Sequence, residues 1–526
     1  MKQNKIKNLL LAVFALLLGV PAFAQVGIGT NNPQGILDVN DSLRDIVLPR
    51  VASVDSVKAL DGGEAVPGTM VFDMSQNCAR VKNISIRQGT KNKGWSDCLL
   101  DVAGTKIITD SILQLGTNFT VAKAAVSNNW AVLMGGDSLV WFSGSNANSV
   151  GGLGRAGGAV RSYTLVFSEQ MRGIVAGTDH VIAVDRSGRV WTWGLNTNSR
   201  TGQINPLTST YVTGGVTGLL DSCDFFGPNS TGKYIAKYVA ASSATSFVVI
   251  ANGDLYSIGT SPADGNGATS ANATWTKVSG ISNVTQIDAS LNNTVGAVTA
   301  SGDAYVWGTG GGNGLGISTS NLLAPTRLPV NVLIRKIAMG YQCGAAISQD
   351  STKLYVWGAN NTVSSPVAAA PIEISARIPN FDASKGDRIL DVGMARSGGG
   401  NLVIVTNLKK RYPGVARVYV FGRNNYGQLG VGNTTNQYAT GGGTSNPPPT
   451  GGGGIIPRAI NTMRIDKGTQ FTGVACGGYN TILLTGPNST NLSLSYVAYG
   501  AGRVSTSAAV LGAITTAALY FTPLTK

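Results

Sequence analysis

Gly188-Arg189-Val190-Trp191-Thr192-Trp193-Gly194 is one of seven short apolar and aromatic segments that close on a glycine. The others are residues 137–144 (DSLVWFSG), 253–259 (GDLYSIG), 302–308 (GDAYVWG), 353–358 (KLYVWG), 417–422 (RVYVFG) and 495–500 (SYVAYG). Their final glycines fall at 144, 194, 259, 308, 358, 422 and 500, so the unit is about 50 residues with insertions, the period of a repeat architecture. Each segment follows a second apolar run: AVLM at 131–134, VIAV at 181–184, FVVI at 247–250, VGAV at 295–298, GAAI at 344–347, NLVIV at 401–405 and TILL at 481–484. Short turns such as Ser187-Gly188, Asn252-Gly253 and Ser301-Gly302 join the two as a hairpin.

Working outward, a third run precedes the hairpin (173–176, 336–339, 473–475), and a fourth that often carries proline follows it (325–330, 371–374, 456–458). Four strands per copy describe a propeller blade. One four-stranded sheet cannot bury both faces, whereas seven packed radially can, so the expected fold is an all-β, seven-bladed β-propeller. Closure is expected through strand exchange, with residues 518–524 pairing with the blade around Trp141.

At these residues the chain resembles the regulator of chromosome condensation repeat family. One copy runs Ala176-Gly177-Thr178-Asp179-His180-Val181-Ile182-Ala183-Val184 and on to Val190-Trp191-Thr192-Trp193-Gly194-Leu195-Asn196. Another reads Val418-Tyr419-Val420-Phe421-Gly422-Arg423-Asn424-Asn425-Tyr426-Gly427-Gln428-Leu429-Gly430. The resemblance spans about 105–526 and implies a seven-bladed propeller. Gly-Gln-Leu-Gly occurs intact once, and Cys343 and Asn480 stand where the repeat has histidine. Kelch propellers share the period, but their double-glycine signature does not recur in every copy.

The chain has 526 residues, of which 70 are glycine, 43% are hydrophobic and only 13% are charged, which excludes a coiled coil and a charge-rich disordered chain. Residues 1–24 read as a secretory leader: Lys2, Lys5 and Lys7, an apolar stretch over 9–20, then Ala22-Phe23-Ala24 as a cleavage site. That stretch is too short to span a bilayer. The apolar run 508–521, interrupted by Thr515 and Thr516, reads as strand, so no transmembrane span is expected. Residues 25–104 lack the repeat; Val26-Gly27-Ile28-Gly29-Thr30-Asn31-Asn32-Pro33 and Leu48-Pro49-Arg50 resemble a leader module of exported Gram-negative surface proteins, implying a small β-rich attachment or spacer unit. Residues 433–457, with Pro447-Pro448-Pro449, read as a flexible excursion between the last two blades.

The net charge is +14, and loss of the leader removes three lysines and no acid, so the mature chain stays basic. A basic surface selects acidic proteins, anionic glycans, lipid headgroups or nucleic acid, and export separates the chain from the last of these. Between residues 80 and 93 stand Arg80, Lys82, Arg87, Lys91 and Lys93 with no acid, the pattern of a solvated loop face. Five cysteines (78, 98, 223, 343 and 476) leave at least one unpaired. Cys78 and Cys98 could form a disulfide in the N-terminal segment, or all five could be small buried hydrophobes.

No catalytic constellation emerges. The one histidine, His180, lies inside the repeat and reads as a packed residue, and with no second histidine and no C-x-x-C pair neither a catalytic zinc nor another cofactor is expected. There is no G-x-S-x-G elbow, and Gly308–Gly316 lacks the G-K-[ST] ending of a phosphate loop. Asp264-Gly265-Asn266-Gly267 could touch calcium but reads as a turn. The aromatics at 191, 193, 256, 305, 307, 355, 357 and 419 could form a sugar-stacking platform, but their recurrence marks blade packing.

The departures from the repeat point to a binding surface. The turn inside the hairpin is short in the second, third and fourth copies and lengthens over 348–353, 407–417 and 486–492. These belong to consecutive blades on one face, so they are expected to form one raised sector, the usual place for binding loops on a rigid scaffold. Lys409, Lys410, Arg411, Tyr412 and Arg417 make it basic and aromatic, suited to an acidic protein surface or an anionic polysaccharide. The function expected is therefore a secreted or cell-surface binding protein. A secreted polysaccharide-acting enzyme and an inhibitor of an extracellular enzyme are the alternatives.

Overall fold

The computed structural model describes residues 26–28, 37–39, 49–58, 65, 69–74, 78–82 and 100–101 of the N-terminal part. From 121 to 524 it describes all residues except 154–157, 168, 206–209, 212–215, 224, 229–233, 359–367, 399, 409–415, 438–456, 461–468, 487–497 and 503–517. The chain divides into two compact units, Met1–Ile108 and Thr109–Lys526.

The second unit is a seven-bladed β-propeller. Each blade is a four-stranded antiparallel sheet taken from one continuous stretch of chain. The innermost strands are Val121–Val126, Met171–Ala176, Ala236–Ala241, Val284–Ala289, Ile334–Gly340, Arg388–Met394 and Phe471–Cys476. Among the described residues there is no α-helix, and no helix is long and apolar enough to cross a membrane.

The core is not central. It lies in seven apolar layers, each drawn from two neighbouring blades, because every sheet has two apolar faces and must cover both. Val132, Phe142, Ile174 and Trp193 fill the layer between the first and second blades, and Val356, Ile389, Ile404 and Phe421 fill that between the fifth and sixth. The layer that closes the ring sets Val121, Leu133, Trp141 and Tyr163 of the first blade against Ile482, Ala498 and Leu524 of the last.

That seventh layer corrects the expected closure. Ala518–Pro523 pairs with Tyr499–Gly502 inside its own blade, and Leu524 packs into the layer around Trp141. The reason is geometric: sheet edges in a propeller face the axis and the circumference, so exchanging a strand between first and last blades would remove no edge. Face-to-face packing closes the ring instead.

The repeating glycine is demanded by the backbone. The final glycines at 144, 194, 259, 308, 358 and 422 have φ between +101° and +127°, and a Cβ there would collide with the backbone of the adjacent strand. Each faces the first residue of the second strand: Trp130, His180, Thr245, Thr294, Cys343 and Asn401, all buried. In the last blade the residue so placed is Gly502, opposite Asn480 at φ +129°, with Tyr479 O only 2.2 Å from a would-be Cβ. Gly500 lies two residues earlier within the strand, opposite Ile482, so the seventh segment is read two residues further on than its sequence pattern indicates.

The aromatic that precedes the glycine locks blades together. Trp193, Trp307 and Trp357 are fully buried, and each donates its indole N–H to the preceding blade, to Val150 O (2.8 Å), Ala263 O (2.8 Å) and Gly314 O (2.9 Å). The third blade has Ile258 at this place, and Trp275 of its outer strand donates to Gly202 O instead (3.3 Å).

In the first unit Arg50–Val51, Met70–Asp73, Cys78–Val81 and Leu100–Asp101 form a small sheet over Val54, Ala65 and Val71. Arg80 and Lys82 are buried rather than solvated, and Arg80 Nη1 lies 3.8 Å from the buried Asp73 carboxylate. Cys98 lies outside the described residues, as does any bond between it and Cys78.

Candidate interaction face

One end of the propeller carries both the hairpin turns and the starts of the inner strands. An amide at the start of an inner strand, that of its first residue or, in the sixth blade, its second, donates to a turn carbonyl of the blade before it. The pairs are Met171 to Ser138 (2.8 Å), Ala236 to Gly188 (3.0 Å), Val284 to Gly253 (2.8 Å), Ile334 to Gly302 (2.8 Å) and Ile389 to Ser351 (2.9 Å). Strand boundaries place the longest of these connections in the last two blades, between Asn407 and Ala416 and between Thr485 and Tyr499.

Every inner strand bulges near its start, one residue in or, in the sixth blade, two, and a bulge re-aims the side chains on either side of it. The bulged residues are Ala122, Arg172, Lys237, Thr285, Arg335, Leu390 and Thr472. Lys123, Gly173, Tyr238, Gln286, Lys336, Asp391 and Gly473 follow them. This girdle therefore holds Lys123, Arg172, Lys237, Arg335 and Lys336 against the single acid Asp391.

Girdle side chains reach from blade to blade. Gln286 exchanges hydrogen bonds with Ile337 of the next blade (3.0 and 2.9 Å), Lys336 pairs with Asp391, and Asp391 accepts from the amide of Val474 (3.0 Å). Lys123 Nζ donates to Arg172 O (2.8 Å). Burial and then the Arg172 charge push the Lys123 ammonium below the ordinary lysine range. Deeper along the axis, a cavity of about 200 Å³ is lined by Asp288, Lys336, Arg396, Ile337, Val392 and Cys476 among others. Burial raises Asp288 despite the Arg396 and Lys336 charges and its bond from Met339 N (2.8 Å), and it pushes the Cys476 thiol up to about 12.

The opposite end is closed by one loop. Residues 395–400 join Arg388–Met394 to Asn401–Asn407, and Arg396 turns inward from them. Its guanidinium donates to Ala289 O (2.9 Å), Ala176 O (2.6 Å) and Ala241 O, the last residues of three other inner strands. The loop also accepts from the amides of Leu291 (2.7 Å) and Tyr341 (2.8 Å) and bonds to Asn128 through Ser397. Residues from six blades thus meet in it.

Of the residues singled out in the sequence, Lys409, Lys410, Arg411 and Tyr412 lie outside the described residues. Their flanks, Leu408 and Arg417, leave and re-enter at the turn end; Arg417 sits half-buried opposite Thr406, whose hydroxyl donates to its carbonyl (3.3 Å). His180 is fully buried: Ser246 Oγ donates to Arg200 O (2.6 Å), so His180 Nε2 donates to Ser246 Oγ (3.0 Å), and its ring lies against Gly177, where any Cβ would overlap it. Burial, then Arg200 and Arg396, lowers its pKa to about 3, which keeps it neutral. Asp264 accepts from Asn266 Nδ2 (3.0 Å) and Asn272 N (3.1 Å), the bonds of a turn, and burial raises it to about 6. Among the described residues no three His, Cys, Asp or Glu side chains are grouped to hold a metal. Cys223, Cys343 and Cys476 are buried thiols.

Arg396 and the girdle went unread in the sequence. The available signals were the triple glycine at 398–400 and the cation recurring at one repeat offset in Arg172, Lys237 and Arg335.

Residues 416–484 and 172–200 match the family described as the regulator of chromosome condensation (RCC1) repeat. The chain is similar in fold to a chain of the crystal structure of Kap60 bound to yeast RCC1 (Prp20), at 17% identity and a TM-score of 0.55, covering 84% of this chain and 91% of that one. Prp20p from Saccharomyces cerevisiae, whose crystal structure was described together with its binding to Gsp1p and histones, gives 18% identity, a TM-score of 0.53, and 78% and 88% coverage. Human WBSCR16 gives 18% identity, a TM-score of 0.52, and 68% and 84% coverage.

Proposed function

We propose that this chain, a propeller built from regulator of chromosome condensation repeats, is a binding protein that recognises an acidic protein surface with its turn face. The observation that carries the reading is the one-sided charge of the axial girdle, where Lys123, Arg172, Lys237, Arg335 and Lys336 face one acid. A cleft lined by one sign of charge concentrates field lines and steers partners of the opposite sign. Leu408 and Ala416, the described residues on either side of Lys409, Lys410, Arg411 and Tyr412, lie at the same end. Prp20, which is similar in fold, has protein partners in Kap60, Gsp1p and histones.

The leader over residues 1–24 makes the protein exported, released or held at the outer surface, and residues 25–104 tether or space the propeller. The test is retention of the full mature chain on an array of acidic proteins and anionic glycans. Exchanging Lys409, Lys410 and Arg411 for Glu is expected to abolish retention on acidic proteins and leave the circular dichroism spectrum unchanged. Equal retention of that variant overturns the reading, preferential retention on glycans reassigns the partner, and turnover of an array component establishes an enzyme.

A further inference from the structure

Arg172 and Arg335 occupy the same bulge position in different blades, and their environments differ. Arg335 spends its side-on edge within the protein: Nε donates to Ser351 Oγ (2.7 Å), and Nη2 to Ile389 O and Leu390 O (2.7 Å each). It thereby ties the fifth blade to the sixth. The same two donors of Arg172, Nε and Nη2, are buried with no hydrogen-bond partner. A buried, unsatisfied charged donor is unfavourable, and in folded proteins such groups are rare enough to require an explanation.

The surroundings supply one. Lys123 lies against the Arg172 backbone, so two cations share this sector, and no described acid is bonded to either. The girdle positions flanking Lys123 on the neighbouring blades are both glycine, Gly173 and Gly473, whereas Tyr238, Gln286, Lys336 and Asp391 fill the others. A Cβ on Gly173 would stand 3.8 Å from Lys123 Nζ. The sector is thus cationic, short of acceptors and free of bulky girdle side chains.

We propose that Arg172 and Lys123 form a seat for one carboxylate, an aspartate or glutamate side chain of the acidic partner. The Nε/Nη2 edge of a guanidinium presents two parallel N–H groups that match a planar carboxylate. The same edge meets a carboxylate elsewhere in the protein: Arg327 donates through Nε (2.9 Å) and Nη2 to one oxygen, Oδ1, of Asp303. Lys123 adds a point charge beside the fork. This assignment rests on the acidic-protein reading above and names the residues that anchor it.

The experiment measures binding of a hexaglutamate peptide to the full mature chain by isothermal titration calorimetry, alongside thermal melts. Arg172→Met is expected to weaken binding at least tenfold, and Arg172→Lys to fail to restore it, because a single ammonium lacks the fork. The melt of Arg172→Met is expected to stay level or rise, since no folding bond is lost, while Arg335→Met melts lower. Undiminished binding by Arg172→Met, or a melt lowered as far as that of Arg335→Met, overturns the seat. Absence of hexaglutamate binding to the unaltered chain also overturns it, as does a sulfated oligosaccharide that displaces the peptide at equal charge. If the Lys409, Lys410 and Arg411 exchange abolishes retention on the array while Arg172→Met does not weaken peptide binding, the seat falls and the face reading stands.

Discussion

The two ends of the axial channel are built from the same seven strands and have opposite characters. At one end Arg396 gives its donors to the carbonyls of Ala176, Ala241 and Ala289, so a buried charge is neutralised by backbone dipoles and binds other blades to the sixth. At the other end cations gather faster than acceptors, and the side-on donors of Arg172 are left without any. An arginine whose hydrogen bonds are internal stabilises a fold, and one whose buried donors are unmade gains by meeting an acceptor. The distinction lies in the acceptors within reach, not in the residue type.

The largest test of that contrast is Arg396→Met. It strands three inner-strand carbonyls and removes the hub of the closed end, so the loss should be on the order of 3–5 kcal/mol, read as a melting temperature lower by several degrees. A melt equal to that of the unaltered chain would show that the ring does not depend on its plug, and the two ends would then be energetically alike.

The seventh layer is sharpened by a pair of glycines. Gly502→Ala forces a side chain into a φ of +129° and against Tyr479 O, and is expected to destabilise by about 2 kcal/mol or more. Gly500→Ala, within the strand, is expected to destabilise less. Chemical denaturation of both variants decides the register, and the reverse order would restore Gly500 as the repeat glycine.

His180 supplies a pH signature on the closed side. Its pKa falls from 6.5 to about 3 on folding, so between these values the unfolded chain binds the extra proton. Stability is therefore full above pH 6.5 and declines as the pH falls, by about 2 kcal/mol at pH 5 from this group. Denaturation midpoints of the unaltered chain and of His180→Asn, followed from pH 7 to 5, should converge as the pH drops; parallel curves would refute the buried neutral imidazole.

The smallest effect is at Asp264, whose folded pKa is raised to about 6, so stability is present below the unfolded value of 3.8 and lost as the pH rises through 6. Asp264→Asn keeps an acceptor for Asn266 and Asn272 and removes the charge. The full shift corresponds to about 3 kcal/mol at pH 7, which screening by the solvent at this turn is expected to reduce to a gain of about 1 kcal/mol that vanishes near pH 4 in the same denaturation series.

Much of the architecture was legible because it repeats. A glycine with positive φ against a neighbouring strand cannot be replaced without strain, so it marks each blade in the text of the chain, and Trp193, Trp307 and Trp357 recur because each docks on the blade before it. The last blade was misread by two residues because Tyr499 precedes both Gly500 and, by three positions, Gly502, and composition alone does not show which glycine meets Asn480. The basic connection at 409–412 stood out as an insertion. Arg172, by contrast, is one charged residue in a short strand, and nothing local distinguishes it from Arg335.

Blade number, hairpin pairing and the burial of the aromatics follow from the sequence alone, because they depend on near neighbours repeated seven times. How the ring shuts, which arginine becomes a plug and which donors go unsatisfied were decided only in the folded molecule. Those outcomes depend on which carbonyls residues as distant as Ala176 and Arg396 bring together around the axis, and no local pattern records that meeting.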